Sequence, residues 1–204
     1  MEKFVEFQNW GFNVLIFSSL MTMVFSIFQG YGFIKQSQKI WRNKSAKAIS
    51  APFFFLFFFY FIAFIFYGFY KNSLAMVFNG LLFTTCIPIV IGVIKYKKMS
   101  LIDWFSFFLS AAIVPIVILV KEKDIFIFSL LLVSIIVLIL QLVTIIRAKS
   151  SGAIEIKFIF IFFITGLCWF VYACYINNWA LQIFNFFAVL IYFTIIILYY
   201  KYKK

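Results

Sequence analysis

The chain has 204 residues, of which 66% are apolar and 12% charged, with 33 Phe and a mean hydropathy of +1.11. A soluble domain is about 45–50% apolar and about 25% charged, so this composition cannot coat a surface that faces water, and a bilayer must be the solvent. The net charge of +12 would point to nucleic acid in a soluble protein; in a membrane protein it marks cytoplasmic loops, and no nucleic-acid partner is expected.

Seven apolar tracts follow in order, at residues 10–34, 52–70, 73–94, 101–120, 125–146, 154–176 and 179–200. A span needs about 20 apolar residues, so seven fit in this length and nine would not. All are expected to be helices, because a lone segment in lipid can satisfy its own backbone only that way and barrel-type alternation is missing. The first tract is too long for a secretory h-region and follows Glu2, Lys3 and Glu6, so it reads as a span. Very short connections, Lys71-Asn72 and Asn177-Asn178, predict tight hairpins between tracts two and three and between six and seven.

Charge sets the orientation. The connections after tracts one, three, five and seven carry Lys35, Lys39, Arg42, Lys44 and Lys47, then Lys95, Lys97 and Lys98, then Arg147, Lys149 and Lys157, then Lys201, Lys203 and Lys204. Only Lys3, Lys71, Lys121 and Lys123 fall on the other side. The N-terminus is therefore expected outside and the C-terminus in the cytoplasm, with the cell membrane as the expected location. Trp10, Trp104 and Trp179 open spans and Trp41 falls in the first cytoplasmic loop, at the depth of an aromatic belt; Trp169 lies seven residues inside its tract and reads as a packing or ligand contact.

Sliding the sequence against itself by 105 residues lays Gln36-x3-Ile40-x-Arg42-x-Lys44-Ser45 over Gln141-x3-Ile145-x-Arg147-x-Lys149-Ser150. The same offset pairs Tyr67 with Tyr172, Tyr70 with Tyr175 and Asn72 with Asn177; after one inserted residue Phe78-Asn79 pairs with Phe184-Asn185. Three helices thus repeat, and a single extra span between the copies restores their parallel orientation. The expected fold is an all-α membrane protein of seven transmembrane helices, two parallel three-helix repeats over 1–98 and 123–204 joined by a linker helix within 99–122. Parallel repeats of this kind are a transporter architecture with the solute held between halves.

In this plan, and in Ile40-Trp41-Arg42-Asn43-Lys44-Ser45, Phe66-Tyr67-Gly68, Asn79-Gly80 and Leu167-Cys168-Trp169-Phe170-Val171-Tyr172-Ala173, the chain resembles the PQ-loop superfamily, and within it the SWEET sugar transporters. It departs from that pattern in several places. The Pro before each Gln is Lys35 or Leu140, and the proline of the second tract survives as Pro52 but is Lys157 in the second copy. Phe64 stands where plant members have a Trp that Trp169 retains in the sixth tract. The resemblance implies prolines that flex during gating, and their loss here removes most of that set.

Asn79 and Asn185 are the sharpest binding candidates. An amide in hydrocarbon must meet another helix, water or a ligand, and interhelical bonding is the competing reading. Phe64 and Trp169 are expected at the same depth as the amides, each about 9 Å inside the outer boundary at about 1.5 Å per residue. Two amides and two flat rings suit a neutral polyhydroxylated solute, and a nucleoside equally; the sugar comes from the resemblance. Gln36 and Gln141 at the cytoplasmic ends, Tyr67 and Tyr172 near the outer ends, and Pro52 are gating candidates, with helix-end capping and belt tyrosine as the alternatives. The six acids, Glu2, Glu6, Asp103, Glu122, Asp124 and Glu155, fall in tails, loops or first turns, so proton coupling lacks a mid-membrane carrier and facilitated diffusion is the expected mechanism.

Cys86, Cys168 and Cys174 sit in apolar runs as fillers, no metal or cofactor is implied, and no catalytic set exists without His. The expected partners are a small solute and lipid, and a homo-oligomer is compatible with the plan. The alternatives are a vitamin or nucleoside carrier resembling the nicotinamide riboside transporters, a proton-coupled amino-acid carrier of the PQ-loop group, and a non-transporting scaffold or chaperone.

Overall fold

A computed structural model describes residues 3–46, 51–148 and 156–202. Among them the chain forms ten helical segments: α1 Val5–Gln8, α2 Val14–Asn43, α3 Ala51–Tyr70, α4 Leu74–Gly80, α5 Phe83–Tyr96, α6 Leu101–Ala111, α7 Ile113–Leu119, α8 Lys123–Ala148, α9 Ile156–Tyr175 and α10 Trp179–Tyr202. Each expected tract falls mostly on helix among the described residues. The third, however, is α4 followed by α5, and the fourth is α6 followed by α7. By length and composition, Val14–Asn43, Ala51–Tyr70, Leu74–Tyr96, Leu101–Leu119 and Trp179–Tyr202 can each cross a bilayer, with Ile159–Tyr175 a shorter apolar helix.

The chain divides into two compact units, Met1–Gln8 with Met23–Lys121 and Asn9–Thr22 with Glu122–Lys204. In the first, α3 is packed by α4, α5, α6 and α7. Its interior includes Ile40, Phe54, Phe55, Ile89 and Val93, and further along Phe61, Leu82 and Cys86. In the second, α10 lies on α8 and α9, around Ile135, Ile159, Ile191 and Ile195. Lipid is as apolar as these side chains, so close van der Waals fit rather than water exclusion holds such helices together.

The ends of α2 differ from the sequence expectation. Asn13 caps it, its Oδ1 accepting from the Ile16 N–H at 3.0 Å, so Trp10 stands outside the helix and exposed. At the other end α2 continues to Asn43; Lys35, Lys39 and Arg42, expected in a loop, occupy its last turns, and Trp41 is helical too. Hydropathy stops at the first charges, but Lys, Gln and Arg are good helix formers. Thirty residues reach about 45 Å at about 1.5 Å each, beyond a hydrocarbon core of about 30 Å, so the charged end projects into the polar region. There Trp41 is pinned to α5: its indole N–H donates to the Pro88 carbonyl at 2.8 Å, its ring meets Tyr96 edge-on, and the Lys95 ammonium lies over it at 5.3 Å.

The two expected hairpins are the same structure at an offset of 105. Asn72 and Asn177 both have left-handed φ, at 50° and 51°. The Ser73 N–H donates to the Gly68 carbonyl at 2.9 Å and the Asn178 N–H to the Ala173 carbonyl at 3.0 Å, closing the preceding helices with C-terminal turns whose left-handed position Asn tolerates better than most residues. The next residue in each copy then caps the following helix. The Ser73 hydroxyl accepts from Met76 N–H at 3.1 Å and the Asn178 amide oxygen from Leu181 N–H at 3.1 Å.

Candidate functional site

In the first unit α3 and α4 cross without space for a side chain. A Cβ on Gly68 would lie 2.8 Å from the Val77 backbone nitrogen, and one on Gly80 would lie 2.9 Å from the Phe61 carbonyl oxygen. Phe64 and Asn79 belong to this crossing. Phe64 is buried and stacked on Tyr60 with ring centres 5.4 Å apart. Asn79 is buried, 6% exposed, and its Nδ2 donates to the hydroxyl oxygen of Ser26 on α2 at 2.7 Å.

Directly after Asn79 the helix is interrupted at Leu81 and Leu82. The Leu82 N–H reaches back only to the Asn79 carbonyl, and Thr84 and Thr85 to those of Leu81 and Leu82, each at 3.0 Å, a tighter i→i+3 pattern. The Thr84 and Thr85 hydroxyls donate to the same Leu81 and Leu82 carbonyls, at 2.8 and 2.7 Å. Pro88, inside α5, has no N–H to return to Thr84. At the break between α6 and α7 a proline is directly involved, since Pro115 has no N–H to return to Ala111 across it.

At the N-terminus of α4 the Glu6 carboxylate, 2% exposed, accepts the Leu74 and Ala75 N–H groups, each at 2.9 Å. Val5 N–H donates to the Asn72 carbonyl at 2.8 Å, which straps α1 over the hairpin. The sequence placed Glu6 in a tail with no role; it satisfies donors that a helix start leaves open and sets a negative charge at the positive end of the helix dipole. Asp103, in the first turn of α6, completes a capping box with Ser100 and pairs with Lys97 at 2.9 Å.

In the second unit Asn185 is 4% exposed, and its Nδ2 donates to the Leu181 carbonyl of its own helix at 2.8 Å. Trp169 is 7% exposed and meets Tyr172 edge-on at 5.8 Å. Phe170 of α9 faces Phe186 of α10 at 6.3 Å, so the neighbours of Trp169 and Asn185 touch. α9 and α10 approach closely at Gly166, where a Cβ would meet one methyl of Val189 at 2.9 Å.

The gating candidates are spread along both units. Tyr67 and Tyr172 are fully buried, which does not suit a lipid-facing belt; Tyr70 and Tyr175, half exposed, stand one turn further out. Gln36 is part-buried within α2 and Pro52 within the first turn of α3, where a missing N–H costs nothing. Gln141 belongs to α8, and its side chain lies outside the described ones, as do Lys47, Lys149, Ser150 and Glu155.

Sequence reasoning missed a polar stripe on α2. Ser18, Thr22 and Ser26, four residues apart, are all buried, with Ser19 beside them; hydroxyls at helical spacing in an apolar tract were the available signal. At the offset of 105 their counterparts are Lys123, Ile127 and Leu131, so the stripe occurs in one copy only.

Comparison with solved structures gives a match to a eukaryotic SWEET transporter at a TM-score of 0.79, covering 93% of this chain and 97% of that one at 12% identity. Residues 124–204 match the family model described as a sugar efflux transporter for intercellular exchange. The chain is SWEET-like. It is a multi-helix integral membrane protein with the SWEET fold, and the family's sequence pattern is carried by the stretch from Asp124 onward. No curated protein matches the sequence. The SWEET resemblance drawn from the repeated Gln, Tyr and Asn positions is thus met by the fold over nearly the whole length.

Proposed function

We propose that the protein is a facilitative transporter of a small neutral hydrophilic solute, a mono- or disaccharide, working by alternating access between two three-helix repeats at 1–98 and 123–204 with a linker helix within 99–122. The observation that carries this reading is the duplicated buried asparagine. In an apolar chain with the SWEET fold, Asn79 and Asn185 occupy equivalent positions of the two copies, one in each unit, and each is no more than 6% exposed. An amide kept in hydrocarbon at two equivalent places is costly unless it meets polar partners; each Nδ2 already has one, Asn79 across the helices to Ser26 and Asn185 to the Leu181 carbonyl, and a hydroxylated solute would add partners for the rest of each amide. Phe64 and Trp169, equivalent at the offset of 105, would cover the C–H faces of a sugar ring. Tyr67 and Tyr172 would close the outer side and Gln36, Gln141 and Pro52 the cytoplasmic side, with the N-terminus outside and the C-terminus in the cytoplasm.

The described acids that the structure ties to helix starts support uniport. Glu6 caps α4, Asp103 closes the first turn of α6, and Asp124 sits in the first turn of α8; none is placed to carry a proton through mid-membrane. The test is uptake of radiolabelled D-glucose and sucrose by purified protein in liposomes. Asn79→Ala and Asn185→Ala should each abolish flux while the variants still elute as the native particle. Undiminished flux in both variants would remove the site.

A further inference from the structure

We infer that Ser26 is a positioning residue for the Asn79 amide, so that the two halves of the proposed site are built differently: one amide is held across two helices, the other by its own turn. The inference rests on the solute-site reading of Asn79 and Asn185 and adds to it a residue that the repeat pattern cannot supply.

Ser26 is 1% exposed and lies in the middle of α2. Its hydroxyl oxygen accepts the Asn79 Nδ2 at 2.7 Å. A hydroxyl that close ties the amide to α2 and limits how far it can turn. The approach of the two elements is not a single contact. One turn further along α2, a Cβ on Gly30 would lie 3.1 Å from Leu82 and 3.5 Å from Thr85, at the interruption that follows Asn79. Ser26 and Gly30 together form one small, hydroxyl-bearing face against α4 and the start of α5, and small residues are what lets helix backbones come this close in a membrane.

The second copy lacks this device. At the offset of 105 the counterparts of Ser26 and Gly30 are Leu131 and Ile135, both buried and neither able to accept a hydrogen bond. Asn185 instead donates to the Leu181 carbonyl four residues back in α10. A side chain held only by its own helix keeps its orientation through backbone geometry alone, whereas Asn79 is held by a second element and loses that hold if α2 shifts.

Loss of the Ser26 oxygen should leave the amide free to turn, so that the binding-competent orientation becomes a fraction of the population and apparent affinity falls by that fraction. The experiment is D-glucose counterflow in liposomes with the full chain, for wild type, Ser26→Ala and Ser26→Thr, together with melting temperatures for Ser26→Ala, Asn79→Ala and the double variant. Ser26→Ala should raise KM about 3- to 10-fold, the range held back by a hydrogen bond of ordinary net strength, with kcat within about twofold. Ser26→Thr, which keeps the hydroxyl oxygen, should restore KM. The two melting losses should be non-additive, the double variant losing less than the sum.

Additive melting losses would mean that the bond does not exist, and would overturn the inference. Non-additive losses with an unchanged KM would also overturn it, since the serine would then be interhelical glue. A wild-type protein that moves no D-glucose, with the non-additivity intact, would remove the sugar reading and the positioning role while leaving the bond.

Discussion

Gly80→Ala probes the close α3–α4 crossing, and with it the placement of Asn79. The new methyl would lie 2.5 Å from Ile65 Cγ1 and 2.9 Å from both the Ile65 nitrogen and the Phe61 carbonyl oxygen. Carbon contacts are comfortable at about 3.5–4.0 Å, so α4 would have to retreat by about 1 Å from a neighbour that offers backbone as well as a side chain. Overpacking costs about 1–3 kcal/mol, and a clash with two backbone atoms falls in the upper part of that range, about 2–3 kcal/mol; the better helix propensity of Ala returns about 1 kcal/mol, leaving a net loss of about 1–2 kcal/mol. At about 2–4 °C per kcal/mol for a chain of this size, melting should fall by roughly 2–8 °C. Because Asn79 is the preceding residue and bonds Ser26 at 2.7 Å, the same retreat should lower solute flux at least about tenfold. Gly166→Ala is the matched control: its methyl meets one Val189 methyl at 2.9 Å, which a side chain can yield, so stability should stay within about 1 kcal/mol of wild type. Fluorescence-monitored melting of both variants in detergent decides the matter. A neutral Gly80→Ala, or equal losses in the two, would refute the close crossing.

Glu6→Gln should destabilise by about 1–3 kcal/mol in the same melting assay, because one of the two backbone N–H groups that the carboxylate accepts would face an amide NH2 instead; an unchanged melting point would show that α1 does not cap α4. At the two hairpins, Asn72→Gly and Asn177→Gly should be nearly neutral, whereas Asn72→Ala and Asn177→Ala should each cost about 1–2 kcal/mol, since both positions are left-handed. Loss at one hairpin alone would contradict their structural equivalence.

The features legible in the sequence and the features hidden there divide along a physical line. The hairpins were legible because their length and their Asn residues leave the backbone little choice, and the structure adds that Asn72 and Asn177 are left-handed and that Ser73 and Asn178 cap α4 and α10. Helix existence was legible because lipid leaves no other way to satisfy a backbone. The end of α2 was not, because hydropathy reports where a chain can leave lipid and not where its helix stops. Ser26 was hidden for a different reason. A hydroxyl in an apolar helix ordinarily bonds back to its own turn, as Ser18, Ser19 and Thr22 do to Leu15, Ile16 and Ser19, and nothing in sequence separates these from the one that accepts Asn79. Glu6 was hidden because its partners are backbone N–H groups nearly seventy residues away.

The interruption beside Asn79 belongs to one copy only, and the residues explain why. Gly80, Thr84 and Pro88 of the first copy correspond to Phe186, Leu190 and Thr194 of the second. There α10 runs unbroken from Trp179 to Tyr202, and the Thr194 hydroxyl donates to the Leu190 carbonyl within an intact ladder. Glycine loses more freedom in a helix than any other residue, and proline removes one donor from the turn that follows; the second copy has neither at these positions, and its helix is continuous. The hairpins, by contrast, keep the same backbone bonds residue for residue across the offset. Duplication has therefore held the connections fixed where backbone geometry demands particular residues, and has let the membrane interior diverge, so that equivalent asparagines sit at the end of a broken helix in one copy and inside a continuous one in the other.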